Sequence, residues 1–371
     1  MIALGGPVES EEFYDREVIL DTLTREIPHM HYALAGPRRI GKTSILKELN
    51  RKGIRGFIPI YVNIAKVVPT EPKFFLRKLG REVLEAVIKE EGLLSRMPEF
   101  ISAKVAQVSD FVRDNLKIKI SGWLTIYFDE SADLTELVRQ TFNTIEAFDR
   151  RLVIMLDEIT SLVRLRGAAP NPRDMEFMWA LGQYIPEAKN ARYIISGSQP
   201  GLMELLISRE TGPFLGRFTL AEVGGLEAAG ADKLIRDKIT HKIPESYVAG
   251  LKMWTRLWPL YVQACCLATN NHPGGVKSVE DVKEDVLRIL HGHFLYLESL
   301  LATDELRALL GISKYGTGSV EELYPQIGMK YDSLETAFRR LELKGFVKKV
   351  GPATYEPLDF IFQEWLAKTY D

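Results

Sequence analysis

The sequence predicts an α/β fold, a parallel sheet with helices on both faces, followed by an all-helical region and a C-terminal module of helices and a hairpin. Short apolar runs alternate with amphipathic helices as far as Ser198. After Gly225 the pattern is mostly helical, and the last part has a helix, a short helix, a longer helix and a hairpin. Strands that alternate with helices form parallel sheets through right-handed crossovers.

Each predicted strand of the core is a short run of apolar residues, suited to burial on both faces of a sheet. The predicted strands comprise residues 31–35, 56–63, 152–156 and 191–198. The predicted helices comprise residues 9–25, 42–50, 74–88, 133–148 (with Asp133 as its cap) and 174–184. Residues 117–120 and 124–128 predict a hairpin within an insertion at about 66–130.

The rest of the chain predicts two further regions. Residues 228–267 are mostly helical, with interruptions at Pro244 and Pro259. The later predicted elements are a helix at 303–314, a short helix opened by a capping box at 319–322, a helix at 332–344, a strand at 345–351 and a helix at 360–369. This is the order of a winged helix-turn-helix. We therefore predict a core at 1–225, a helical lid at 226–285 and a winged helix at 286–371.

Residues 36–43 fit the phosphate-binding pattern G-x-x-x-x-G-K-[ST]. Gly36 and Gly41 allow the backbone to curl so that its N–H groups point at phosphate oxygens. Lys42 reaches the β- and γ-phosphates, and the Thr43 hydroxyl ligates Mg²⁺. A helix that begins at Lys42 turns its positive end toward the anion. The alternative is a glycine-rich turn that binds nothing. The predicted nucleotide-binding residues of this loop are Gly36, Pro37, Arg38, Arg39, Ile40, Gly41, Lys42 and Thr43.

A second motif ends the apolar strand at 152–156 with two carboxylates, Asp157 and Glu158. They follow the carboxyl end of the strand, where open α/β sheets bind ligands. Asp157 is suited to hold the hydration shell of Mg²⁺. Glu158 is suited to act as the general base toward an attacking water. Alone, the pair could be a solvated acidic turn, and the phosphate loop makes the catalytic interpretation the stronger one.

The composition is that of an ordinary globular protein. The 371 residues are 46% hydrophobic and 26% charged, and 48 Lys and Arg against 50 Asp and Glu give a net charge of −2. Any nucleic-acid affinity must therefore come from a local patch. Cys265 and Cys266 are adjacent, which disfavours a disulfide and is typical of a reducing compartment. With no secretory segment and no long apolar run, we expect a cytoplasmic protein.

The arrangement resembles the archaeal ATPase family, P-loop proteins within the STAND group of AAA-related switches. The shared residues are 13–17, the loop 36–44 including Ser44, the run 156–158, the run 195–198 and the run 216–218. The resemblance implies that nucleotide binds between the core and a helical lid. It implies further that Arg16 lies near the base, Ser198 senses the γ-phosphate and Arg217 approaches phosphate. The alternative for Arg217 is a surface arginine.

One stretch departs from that family. Related proteins carry a Gly-Gly-x-Pro turn in the lid, whose proline contacts the nucleotide. Here residues 255–261 keep Pro259 and Tyr261, but Arg256 and Leu257 replace the two glycines. The geometry of the lid is therefore open. The roles of Arg38 and Arg39 are also open, because each side chain could contact phosphate or pair with acidic residues elsewhere.

The C-terminal module carries a modest positive charge around its third helix. Its candidate DNA contacts are Arg339, Arg340, Lys344, Lys348 and Lys349. The N-terminal half of that helix, which would enter a major groove, carries Asp332 and Glu335 and is a poor reader of bases. The module could instead pack on the core or bind a protein.

These motifs predict a Mg²⁺-dependent ATP-binding protein that hydrolyses ATP to ADP and phosphate, slowly without a partner, and acts as a switch. One alternative is a DNA-binding initiator or loader, although Arg39-Ile40 before Gly41 departs from the loop of such proteins. Another is a module that binds nucleotide without hydrolysis, which Asp157 and Glu158 disfavour. A small-molecule kinase is weaker, because no carboxylate follows the strand that ends at Asn63.

Overall fold

The computed structural model describes residues 4, 6–8, 13–66, 71–90, 117–120, 124–127, 134–146, 150–208, 210, 212–273 and 275–370. The strands are β1 (His31–Ala35), β2 (Ile58–Asn63), β3 (Lys117–Ile120), β4 (Leu124–Tyr127), β5 (Leu152–Asp157), β6 (Leu165–Arg166), β7 (Ala169–Pro170), β8 (Ala191–Gly197), β9 (Phe218–Glu222), β10 (Val347–Gly351) and β11 (Thr354–Pro357). The helices are α1 (Glu17–Glu26), α2 (Lys42–Lys52), α3 (Pro72–Glu90), α4 (Leu134–Glu146), α5 (Pro172–Tyr184), α6 (Pro200–Ile207), α7 (Ala228–Lys238), α8 (Glu245–Thr255), α9 (Pro259–Asn271), α10 (Glu280–Ile289), α11 (His291–Ser299), α12 (Thr303–Tyr315), α13 (Val320–Ile327), α14 (Tyr331–Lys344) and α15 (Phe360–Tyr370).

Five parallel strands form the central sheet, in the order β2-β5-β8-β1-β9. β1 and β5 are buried along their whole length, as their unbroken apolar runs predict. Because the strands are parallel, their carboxyl ends meet at one edge of the sheet. The predicted α/β class is confirmed, and both predicted motifs follow strands at this edge.

The side chains of β1 alternate between the two faces of the sheet. Tyr32 and Leu34 belong to one core cluster, and Ala33 and Ala35 belong to the other. Helices α3 to α6 cover the face of Ala33. On the face of Tyr32, the apolar cluster includes α1 and α2 and continues through the helices of 228–299 into the C-terminal residues. The regions after the sheet therefore share one apolar core with it.

Residues 303–370, which we call the C-terminal module, contain α12, α13, α14, an antiparallel hairpin of β10 and β11, and α15. The elements follow the predicted order. α14 lies against α6 of the core so closely that a Cβ on Gly201 would be 2.5 Å from the carbonyl oxygen of Glu342. The module is therefore in direct contact with the core.

Two differences from the sequence-based predictions bear on the position of the site. It adds β9, an edge strand in which only Phe218 is buried, so the residues carry little strand pattern. It begins α1 at Glu17 rather than at residue 9, because Asp15 and Arg16 have left-handed φ angles of 64° and 80°. Residues 9–12 and the Asp133 cap lie outside the described residues. The hairpin of β3 and β4 is confirmed as an antiparallel pair.

Three further findings concern binding sites and the membrane. Among the described residues, no helix has both the length and the apolar character that a membrane span requires. The same residues contain no cluster of three or more His, Cys, Asp and Glu that could hold a metal ion. Cys265 and Cys266 are buried free thiols in α9, and burial raises the pKa of Cys266 to about 12.

The turn before α1 docks on α7 so closely that Gly230 has no room for a side chain. A Cβ on Gly230 would lie 2.4 Å from the Asp15 Cβ, whereas a Cβ on Gly250 in α8 would meet Val279 at an ordinary 3.6 Å. We expect Gly250→Ala to raise the free energy of unfolding by up to about 1 kcal/mol through helix propensity. We expect Gly230→Ala to lower it by about 1–3 kcal/mol, because the turn must move. Denaturant unfolding measures the free energy of unfolding of both variants. A higher value for both variants than for wild type would show that the turn before α1 is not docked on α7.

Candidate nucleotide-binding site

The loop at 36–43 joins the carboxyl end of β1 to the first turn of α2. Gly41 caps α2 with a φ of 105°, a conformation that glycine adopts at low cost. A Cβ on Gly36 would lie 2.5 Å from the Val223 carbonyl oxygen, so this position also requires glycine. Arg39 has a left-handed φ of 63° without being glycine. The loop is thereby wound over the positive end of α2, where anions bind favourably.

Lys42 spans this loop from the inside. The residue is 4% exposed, and its ammonium donates to the carbonyl oxygens of Gly36 at 2.7 Å and Pro37 at 2.8 Å. Burial lowers the pKa of Lys42 to about 8, although the charges of Glu158 and Asp157 act in the opposite direction. An anion bound in the loop would restore the ordinary preference of this group for its charged form.

Asp157 is fully buried at the end of β5, and its carboxylate accepts hydrogen bonds from four side chains. Thr43 Oγ1 donates to Oδ2 at 2.9 Å, and Tyr61 Oη donates to the same oxygen at 2.7 Å. Asn63 Nδ2 also donates to Oδ2, at 3.2 Å, while Ser196 Oγ donates to Oδ1 at 2.6 Å. The donors come from α2, β2 and β8, so the carboxylate joins three elements at the edge of the sheet.

Glu158 follows in a left-handed conformation, with a φ of 64°. Its backbone N–H donates to Ser196 Oγ at 3.1 Å, and its Oε2 accepts from the Ser198 N–H at 3.0 Å. The strained turn thus fixes the carboxylate of Glu158 next to the end of β8. Strain of this kind is common at functional sites.

A cavity of about 570 Å³ lies in front of these groups. Its volume falls in the range of small-molecule sites. The predicted site residues that line it are Arg38, Arg39, Gly41, Lys42, Thr43, Ser44, Glu158, Ser198 and Pro259. Further lining residues include Lys47, Tyr61, Asn63, Lys66, Ser161, Gln199, Gln263 and Tyr296. Of the remaining predicted residues, Gly36, Pro37, Ile40 and Asp157 lie in or beneath the loop.

Arg16 lies behind the phosphate loop rather than in the cavity lining. Its guanidinium donates to the carbonyl oxygens of Ile40 at 3.0 Å, Gly224 at 2.7 Å and Gly225 at 3.0 Å. Burial lowers the pKa of Arg16 below its usual range. Arg16 therefore joins the loop to the start of the helical region, and the base contact that the resemblance implies stays a prediction.

Arg217 lies at the opposite edge of the sheet from the phosphate loop. The predicted contact between Arg217 and a phosphate bound in the same chain is therefore wrong. It is exposed and directly precedes β9, whose first residue, Phe218, pairs with His31 at the start of β1. The phosphate loop follows the other end of β1, roughly 16 Å away for a strand of five residues. The glycine-arginine motif does not reveal which edge it occupies, because β9 has little sequence pattern.

The lid turn keeps a left-handed backbone without its glycines. Arg256 has a φ of 48° and Leu257 a φ of 60°. The Arg256 guanidinium lies over the ring of Phe360, 3.2 Å from its centroid, and the Leu257 carbonyl accepts from the Leu226 N–H at 2.8 Å. Pro259 then begins α9 and lines the cavity, as the resemblance implies. These contacts offset a backbone strain of about 1 kcal/mol or more at each residue.

Residues suited to Mg²⁺ and to a nucleotide occur together in this cavity. The Thr43 hydroxyl donates its hydrogen bond to Asp157, so the lone pairs of Thr43 Oγ1 are left to bind a cation. Gln199 lines the cavity, and its Oε1 is buried without a hydrogen-bond partner among the described residues. It is therefore an acceptor for a donor on a ligand or water. The donor set of this chain fits a Mg²⁺–nucleotide pair.

The candidate DNA contacts of the C-terminal module are only partly available at the surface. Lys344 Nζ donates to Glu305 Oε2 at 2.7 Å and to the Leu300 carbonyl at 2.9 Å, so this ammonium already has partners within the chain. Arg340 faces the turn between β6 and β7, 3.9 Å from the Cβ position of Gly167. Two other candidates form exposed ion pairs, Arg339 with Glu335 and Lys348 with Glu356, and Lys349 is exposed.

Sequence reasoning missed the groups that orient Asp157. Tyr61 and Asn63 occupy one face of β2, and Asn63 pairs directly with Asp157 across the strands. The sequence does carry a signal for them, because Tyr61 and Asn63 are two polar side chains at alternate positions at the end of a predicted strand. Trp258 was also missed: its Nε1 donates to the Arg38 carbonyl at 3.2 Å and so ties the lid turn to the phosphate loop.

No protein-family model and no curated protein matches this chain. Among solved structures, the Walker-type ATPase PABY2304 of Pyrococcus abyssi is similar, with a TM-score of 0.67 and 14% identity over 98% of this chain and 99% of that one. The Aeropyrum pernix Orc1 protein in complex with DNA has a TM-score of 0.50 and 13% identity over 96% of this chain and 93% of that one. At such identities the likeness shows the fold, which is that of a P-loop nucleotide-binding protein.

The contacts of Arg16 predict how its loss would affect ligands. If Arg16 holds the loop, Arg16→Ala should weaken the binding of ATP and of inorganic tripolyphosphate by the same factor. We expect about a five- to fifty-fold loss of affinity, because charged hydrogen bonds are lost. Arg25→Ala, an exposed arginine on α1, is the matched control and should change neither affinity. Isothermal titration calorimetry measures both ligands. A loss confined to ATP would instead support the base contact that the resemblance implies.

Proposed function

We propose that this protein binds Mg²⁺–ATP and hydrolyses it to ADP and phosphate, acting as a nucleotide-controlled switch. One observation carries the proposal: Lys42, Thr43 and Glu158 line the same cavity, with Asp157 hydrogen-bonded to Thr43 beneath it. Their residue types match the needs of phosphoryl transfer, a cation for the phosphates, oxygen ligands for Mg²⁺ and a base for water. The fold of the Walker-type ATPase that this chain resembles supports the same reaction.

In the proposed reaction, loop amides and Lys42 hold the β- and γ-phosphates. Glu158 accepts a proton from a water molecule, whose oxygen attacks the γ-phosphorus in line with the leaving group. The bond from that phosphorus to the bridging oxygen breaks, and its electron pair leaves with ADP. Ser198 and Gln199 lie beside Glu158 and are placed to orient the water. Mg²⁺, held through Thr43 and Asp157, would neutralise charge on the phosphate oxygens.

The switch follows from the two sides of the cavity. One side consists of core residues, and the other includes Pro259 and Gln263 of α9 and Tyr296 of α11. ATP and ADP would make different contacts with the two sides of the cavity. This difference would shift the position of one side relative to the other. Loss of the γ-phosphate would remove contacts at Lys42 and Ser198 first. The helical residues and the C-terminal module would then be free to move.

DNA binding is a weaker proposal for this chain. The likeness to Orc1 in complex with DNA favours it, but that likeness concerns the fold. Lys344 is tied to Glu305, and the exposed candidates Arg339 and Lys348 are already paired with acids. With a net charge of −2, the chain has no general attraction to a polyanion. We therefore place the function in the nucleotide cavity.

Two substitutions separate binding from turnover. Lys42→Ala should abolish ATP binding, because it removes the cation that crosses the loop. Glu158→Gln should keep ATP affinity within a few-fold of wild type while hydrolysis falls by about 100-fold or more, as expected for loss of a general base. Fluorescent-nucleotide titration and phosphate release measure the two properties. Equal hydrolysis by Glu158→Gln and wild type would remove Glu158 from its proposed role.

The lowered pKa of Lys42 predicts proton uptake on binding. Near pH 8.5 part of the buried ammonium is neutral in the free protein, since its pKa is about 8. Bound phosphates favour the charged form, so the pKa rises and a proton is taken up. Affinity for ADP should therefore fall as the pH rises above about 8. Calorimetry in buffers of different ionisation enthalpy measures the number of protons taken up. Proton uptake should be clear near pH 8.5 and should nearly vanish near pH 7. Uptake of equal size at pH 7 and pH 8.5 would show that Lys42 is not its source.

A further inference from the structure

We propose that Phe346 is a positioning residue for Arg38 and that it makes nucleotide hydrolysis depend on docking of the C-terminal module. The proposal rests on the function proposed above, since it assigns Arg38 to the bound phosphates. Arg38 lies in the phosphate loop and lines the cavity, and its guanidinium carbon is 5.8 Å from the centroid of the Phe346 ring. This distance is within the range of a cation–π contact.

Arg38 is held from two directions. Its backbone carbonyl accepts from Trp258 Nε1, in the turn before α9, at 3.2 Å. Its side chain is largely shielded from solvent, and this burial lowers the pKa of the guanidinium, while Glu158 acts to raise it. The main chain of Arg38 is thus tied to the helical region and its charged end to the C-terminal module. Neither contact comes from the core that carries the loop.

The end of α14 brings Phe346 to this position. Gly345 caps the helix with a φ of 75°, and the Phe346 N–H donates to the Leu341 carbonyl at 2.9 Å. A Cβ on Gly345 would lie 2.6 Å from Pro200 Cδ. Glycine is therefore required both for the backbone reversal and for the close approach to the core. The buried Phe346 ring, 5% exposed, is directed by this turn toward the loop.

The core surface under this turn belongs to the wall of the cavity. Pro200 and Gly201 begin α6 directly after Ser198 and Gln199, both of which line the cavity. Gly201 is the residue on which the carbonyl of Glu342 rests. A movement of the end of β8 on loss of the γ-phosphate would therefore act on the same seam that holds Phe346. Docking of the module and the state of the site are coupled by contact.

An aromatic ring is suited to this task because it leaves the donors of the guanidinium unused. A carboxylate partner would occupy the N–H groups and neutralise the charge. The face of a ring attracts the cation electrostatically without using any of the five N–H donors of the guanidinium. With Phe346 in place, Arg38 can therefore contact phosphate oxygens while its side chain is confined. When the module separates, Arg38 loses this confinement.

The first test is Phe346→Leu, which keeps an apolar side chain and removes the ring. We expect kcat for ATP to fall by about five- to thirty-fold, as for loss of a desolvated cation–π contact, with ATP affinity changed less than about three-fold. Phe346→Trp restores a ring and should recover most of kcat. Phe338→Leu is the matched control, because Phe338 is a buried ring of the same module that stacks on Tyr355. It should leave kcat unchanged.

A double-mutant cycle decides whether Phe346 acts through Arg38. In an Arg38→Ala background, Phe346→Leu should cause no further loss of kcat. Gly201→Val, which forces α14 away from α6, should mimic Phe346→Leu in the wild-type background and have little effect in the Arg38→Ala background. Independent, multiplicative losses would overturn the proposal, as would a Phe338→Leu loss equal to that of Phe346→Leu. If wild type binds but does not hydrolyse ATP, the proposed function fails together with the inference. Hydrolysis that is insensitive to Phe346→Leu removes the inference alone.

Discussion

The buried carboxylate of Asp157 is the constraint on which the site depends. A charge with no exposed surface is stable only if its lone pairs are satisfied. Four donors from α2, β2 and β8 meet this requirement, and each therefore has a fixed place relative to the others. Thr43 thereby anchors the first turn of α2, and with it the loop that α2 follows. The requirement to satisfy one carboxylate thus sets the geometry of the phosphate loop and of the strand ends around it.

A second constraint is backbone strain, which is concentrated around the same cavity. Asp15, Arg16, Arg39, Glu158, Arg256 and Leu257 are non-glycine residues with positive φ. Each conformation costs about 1 kcal/mol or more, so each needs compensation from tertiary contacts. Asp15 accepts from the Glu227 N–H at 2.7 Å, and Arg16 binds three carbonyls. The strain is thereby offset where the core meets the helical region, and it fixes the angle between them.

The sequence predicts those parts of the molecule that depend on local residue order. Apolar runs gave β1, β5 and β8, and the glycine and lysine spacing gave the phosphate loop. It fails where a side chain finds its partner only in the folded chain. Arg16 spans 209 residues to reach Gly225, and Tyr61 spans 96 to reach Asp157. The edge strand β9 is mostly exposed, and without it the position of Arg217 could not be derived. The left-handed lid turn persists because Phe360, far along the chain, stacks on Arg256.

Hydrogen bonds and a stacked pair join the helical region to the C-terminal module. Tyr261 donates to Asp359, and desolvation raises the pKa of the Asp359 carboxyl to about 6. Trp254 Nε1 donates to Glu364 Oε2 at 3.0 Å, near the stacked Arg256 and Phe360. Separating these groups would leave buried polar atoms unpaired, at a cost of about 1–3 kcal/mol each. At Gly201 and Gly345 the C-terminal module and the core approach each other so closely that neither position has room for a side chain. Hydrogen bonds to the helical region and close packing against the core thus hold the C-terminal module on two sides.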